Sequence, residues 1–121
     1  MDRILIVDDD KPIRDILKNL FTREGYEVIL APDGRVALEC QRKAPARLVI
    51  MDLFMPEKEG IETILELKEK YPDVKIIAIS GFASDGLVNL LESARLFGAE
   101  KTFIKPFELK EILEAARDLL K

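Results

Sequence analysis

Short aliphatic runs alternate with longer amphipathic stretches along the whole chain. The runs fall at residues 4–7, 28–30, 48–51, 76–79 and 102–104. Four of them are near-continuously apolar, the pattern of strands covered on both faces rather than on one. Between them the period changes. Ile13, Ile16, Leu17, Leu20 and Phe21 repeat at helical spacing, and so do Leu109, Ile112, Leu113, Ala116 and Leu119 or Leu120. The punctuation agrees. Asp10 stands where a first helix needs a cap, with Pro12 in its first turn. Gly25 closes that helix, Asp33–Gly34 opens the second, Pro72–Asp73 ends the third and Gly98 ends the fourth. Gly60 reads as a turn or helix-start glycine.

Five strands and five helices in strict alternation predict an α/β protein. The expected architecture is a flavodoxin-like, doubly wound (βα)5 fold. Its five-stranded parallel sheet runs in the order 2-1-3-4-5, with helices on both faces. In such sheets ligands bind beyond the carboxyl ends of the strands, where the strand order reverses.

Composition narrows this little. The chain has 121 residues, enough for one domain spanning residues 1–121. It is 48% apolar and 35% charged, with net charge −4 and no long basic stripe, which argues against direct binding of nucleic acid. No run approaches the roughly 18 apolar residues of a membrane helix, and no leader peptide is evident, so a cytoplasmic protein is expected. Cys40 is the single cysteine, expected as a small core residue of the second helix. There is no histidine, so histidine-based catalysis or metal ligation within this chain is excluded.

The chemistry gathers at the strand ends. The first strand runs into Asp8, Asp9 and Asp10, three adjacent carboxylates that repel one another unless water or a cation intervenes. The third ends at Asp52, the fourth at Ser80 and the fifth at Lys105. In the expected strand order these groups share one pocket. Each has a task there if the ligand is Mg²⁺ with a phosphoryl group. Carboxylates hold the ion or act as nucleophile, lysine balances phosphoryl charge, and serine donates a hydrogen bond.

Over essentially its whole length the sequence resembles the receiver domains of two-component response regulators. The likeness is carried by DDD after strand 1, DLFMP after strand 3, ISG after strand 4 and KPF after strand 5. The resemblance implies that Asp52 is the phosphoacceptor. It also implies that Asp9 binds Mg²⁺ directly, Asp8 directly or through water, and that the backbone carbonyl of Phe54 completes the protein ligands, with Mn²⁺ as a substitute ion. Lys105 would hold the phosphoryl group beside a cis Lys105–Pro106 bond, and Ser80 would move toward it on activation. The implied donor is a histidine kinase or histidine phosphotransfer protein docking near the first helix. The implied output is binding of an effector domain or protein, or a homodimer, through the surface of the fourth helix, fifth strand and fifth helix. Such a chain catalyses its own phosphorylation and dephosphorylation without turning over an external substrate. It could stand alone or be the receiver of a longer regulator.

Three departures from the family pattern bear on switching, two of them small: Ser80 stands for the commoner threonine and Gly81 for the usual alanine. Thr102 replaces the aromatic residue that the family often has, and Phe103 should point to the opposite face. Phe54 and Phe82 are expected to shield an acyl phosphate from water. Two rival readings remain. One is a haloacid-dehalogenase-type phosphatase using Asp8, Asp10, Ser80 and Lys105, which leaves Asp52 without a role. The other is a docking scaffold that is never phosphorylated.

Overall fold

The structure, a computed structural model, describes residues 2–53, 59–81 and 87–121. Its elements follow the predicted alternation: β1 (Arg3–Val7), α1 (Lys11–Arg23), β2 (Glu27–Ala31), α2 (Gly34–Lys43), β3 (Leu48–Asp52), α3 (Glu59–Lys70), β4 (Lys75–Ser80), α4 (Leu87–Leu96), β5 (Lys101–Ile104) and α5 (Leu109–Leu119). The five strands form one sheet in the order β2-β1-β3-β4-β5, and every neighbouring pair is parallel.

The side chains of β1 show why the strand runs are apolar throughout. Leu5 and Val7 face a core built with α2, α3 and α4, through Ala37, Ile64, Leu67 and Ala94. Ile4 and Ile6 face a second core built with α1 and α5, through Leu17, Phe21, Ile112 and Ala116. Successive strand residues point to opposite faces, so a sheet covered on both sides buries all of them. Phe103 joins the α1–α5 core and pairs in register with Ile79, while Thr102 pairs with Ala78 of the other core. Phe103 therefore lies on the face expected of it.

The local signals differ from expectation in three places. Asp10 occupies the N-cap position of α1 with extended backbone, but its side chain makes no capping hydrogen bond. Its N–H instead donates to the carboxylate of Asp8, so the loop's geometry serves Asp8 rather than the helix end. Asp33 does cap α2, accepting from the N–H of Val36 at 2.9 Å. Ile16 and Leu109, read as members of apolar stripes, are 47% and 39% exposed. Each stripe is wider than the face its helix buries. Cys40 lies in α2 as expected, but it is half-buried at the edge of the core.

Candidate active site at the strand ends

Parallel registration brings the acids together. Val7 of β1 pairs with Met51 of β3, so the next residues, Asp8 and Asp52, emerge side by side. Asp8 and Asp52 are each 2% exposed, and Asp9 projects into solvent. Carboxylate oxygens of Asp8, Asp9 and Asp52 all lie within 4.8 Å of one another. Ser80 ends β4 and is buried, and its main-chain oxygen accepts from the N–H of Lys105 at 2.7 Å. That bond places Lys105 at the head of the loop after β5, where Lys105–Pro106 is cis. The lysine then reaches back across the strand ends. Its Nζ lies 3.3 Å from Asp8 Oδ2 and 3.5 Å from Asp52 Oδ2.

Burial of the ammonium disfavours its charged form, but the charges of Asp52 and Asp8 outweigh that and hold the Lys105 pKa above the ordinary lysine value of 10.5. Three carboxylates against one ammonium leave the pocket two charges negative, which a divalent cation neutralises. The donor set consists entirely of hard oxygen atoms, suited to Mg²⁺ and poorly suited to soft metals. Oxygens on opposite sides of one Mg²⁺ are about 4.2 Å apart, so the acids need only a small inward movement to share an ion. The residues present fit the metal.

The pocket thus unites Asp8, Asp9, Asp52 and Lys105, with Ser80 at the neighbouring strand end. Phe54 and Phe82 lie outside the described residues. Two participants escaped the sequence reading of the site. Arg14 of α1 donates from its guanidinium to the main-chain oxygen of Asp8. Gly60, buried in the first turn of α3, packs against the main chain of Asp52 and Leu53. The sequence signal for Arg14 was slight, a basic residue one turn into the helix after the acids. Nothing local links Gly60 to Asp52.

Comparison with known proteins agrees with the fold. The model of the Response regulator receiver domain family matches residues 4–117. Sporulation initiation phosphotransferase F of Bacillus subtilis is 32% identical over 119 residues, covering 98% of this chain and 94% of that protein. Chemotaxis protein CheY of Thermotoga maritima is 37% identical over 120 residues, with 98% of each chain covered. A CheY-like receiver domain protein from Methanospirillum hungatei superposes with a TM-score of 0.91 at 31% identity, covering 99% of this chain and 94% of that one. On sequence and topology alike, this chain belongs to the response regulator receiver-domain family.

Proposed function

We propose that the chain is a phosphorylation-dependent signalling switch whose phosphoacceptor is Asp52. The carrying observation is the Lys105 ammonium set between the buried carboxylates of Asp8 and Asp52. That arrangement leaves one nucleophile, one counter-charge and a cation site around a single point. An oxygen of Asp52 attacks phosphorus, the P–N bond of a partner's phosphohistidine breaks, and the leaving imidazole keeps the electron pair. Lys105 balances the charge on the transferred group, and the Ser80 hydroxyl donates to one of its oxygens. Mg²⁺, when bound by Asp8, Asp9, Asp52 and the Phe54 carbonyl, would neutralise charge building on the phosphoryl oxygens. Water later cleaves the acyl phosphate and returns Asp52 to its starting state.

The surroundings suit the two partners such a switch needs. Beside the pocket, Ile13, Ile16, Pro106, Phe107 and Leu109 line an apolar groove of about 650 Å³ that opens next to Lys105. A helix of the histidine-bearing donor would fit there. On the flank formed by α4 and β5, Leu96 is 84% exposed and Ile104 44% exposed. Exposed apolar residues of this kind suit an effector or a second copy of the chain. Among the described residues no helix is long and apolar enough to cross a membrane.

The test is intact mass after incubation with acetyl phosphate, with and without Mg²⁺, for wild type and Asp52→Asn. One Mg²⁺-dependent phosphoryl adduct, absent in the variant, is expected. No adduct would favour the docking scaffold, and phosphate release that survives Asp52→Asn would favour the phosphatase.

A further inference from the structure

We infer that Arg14 is a positioning residue for the cation site: by holding the main-chain carbonyl of Asp8, it sets where the Asp9 carboxylate stands. The inference rests on reading the acidic pocket as a site for a divalent cation.

Asp8 is held at its main chain and at both carboxylate oxygens. Its N–H donates to the carbonyl of Ala31 at 3.2 Å. Its Oδ1 accepts from the N–H of Asp10 at 2.8 Å, and its Oδ2 faces Lys105 at 3.3 Å. The remaining polar atom is its carbonyl oxygen, and that accepts from Nη1 of Arg14. The Asp8 carbonyl and the Asp9 nitrogen belong to one rigid peptide plane. Fixing that oxygen therefore fixes the direction in which Asp9 leaves the strand. Asp9 is exposed to solvent, which leaves its main chain as the chief determinant of its direction. Arg14 is itself anchored, because its N–H donates to the carbonyl of Asp10 at 3.0 Å and closes the first turn of α1. The guanidinium thus spans from a formed helix back to the acid loop, with a planar donor geometry that a lysine cannot reproduce.

Charge and position make opposite predictions for this arginine. As a bare positive charge beside three acids it would repel Mg²⁺, and its loss would tighten binding. As a positioning residue it favours binding, and loss of such an outer contact typically weakens metal affinity about tenfold or more. Lys11 is a natural control. It is an exposed cation next to the same acids, paired with Asp15 at 2.8 Å.

The experiment is Mg²⁺ titration by calorimetry on the full chain for wild type, Arg14→Met, Arg14→Lys and Lys11→Met. Amide NMR spectra of the metal-free proteins accompany it. The expected result is Mg²⁺ affinity about tenfold weaker in Arg14→Met, with partial recovery in Arg14→Lys. Lys11→Met should bind Mg²⁺ as tightly as wild type or tighter. The Asp9 and Asp10 amide signals should move in Arg14→Met while the core signals stay in place. Unchanged or tighter Mg²⁺ binding by Arg14→Met would overturn the role of Arg14 alone. Failure of wild type to bind Mg²⁺ would overturn the cation site and this inference with it.

Discussion

A methyl group added at Gly60 would lie 2.8 Å from the main-chain oxygen of Asp52 and 3.0 Å from Cα of Leu53. The first turn of α3 is pressed directly against the end of β3, and the absence of a side chain allows the approach. Both contacts are backbone, which cannot rotate away as a flexible side chain could. Gly60→Ala should therefore cost about 1–3 kcal/mol, the usual range for overpacking. It should also slow phosphorylation by acetyl phosphate, because the displaced strand end carries Asp52. Urea unfolding and intact-mass time courses measure the two effects. Wild-type stability in the variant would show that α3 yields freely.

The pocket also makes a pH prediction. The carboxylates of Asp52 and Asp8 raise the Lys105 pKa despite its burial. A raised pKa means that the folded state prefers the charged lysine more than the unfolded chain does. The resulting stabilisation is complete below the unfolded lysine value, about 10.4, and is lost as pH rises through the higher folded value. Asp52→Asn removes one of the two charges responsible and should lower the Lys105 pKa toward the ordinary value. NMR titration of the Lys105 side-chain carbon adjacent to Nζ, from pH 8 to 12, reads this directly. An unchanged midpoint in the variant would mean that Asp8 alone sets the shift.

Metal should stabilise the fold. Ligand that binds only the folded state adds about 2.7 kcal/mol at a hundredfold excess over its dissociation constant. The melting temperature should therefore climb with Mg²⁺ concentration and fall back with chelator. Asp9→Asn should flatten that climb. It should also raise the metal-free melting temperature slightly, because it relieves repulsion among three clustered carboxylates. A Mg²⁺ response as large as that of wild type would remove Asp9 from the ligand set.

Far from the pocket, Gln41 of α2 is 1% exposed and makes a reciprocal pair of bonds with one residue. Its Nε2 donates to the carbonyl of Ala46, and its Oε1 accepts from the N–H of Ala46, both at 2.9 Å. The pair holds the turn that leads into β3. Gln41→Leu keeps the bulk but strands both main-chain groups, at a cost on the order of 2–3 kcal/mol in urea unfolding. Acetyl phosphate labelling of the folded fraction should stay as in wild type.

Periodicity and punctuation carried the secondary structure from the chain alone. Those signals act between near neighbours, and strands buried on both faces are hard to mistake when helical patterns separate them. The alternation also implied the parallel sheet, and the sheet implied which loops meet. That Asp8, Asp9, Asp52, Ser80 and Lys105 would gather at one edge of the sheet was legible for that reason, each standing at or just beyond the end of an apolar run. Gln41 was not, because a polar residue on a helix reads as exposed until its turn is seen folding back onto it.

What the tertiary structure decided is everything that depends on contact between distant residues. Lys105 meets Asp8 across 97 residues of chain and Asp52 across 53, and no local pattern encodes which oxygen it faces. The exposure of Ile16 and Leu109 depends on where α1 and α5 stop covering the sheet, a matter of packing angle rather than of stripe. The contact of Arg14 with the Asp8 carbonyl and the close approach of Gly60 to Asp52 arise only once a helix is set against a strand end. Local chemistry specifies which elements form, and the close approach of those elements sets the geometry of the pocket.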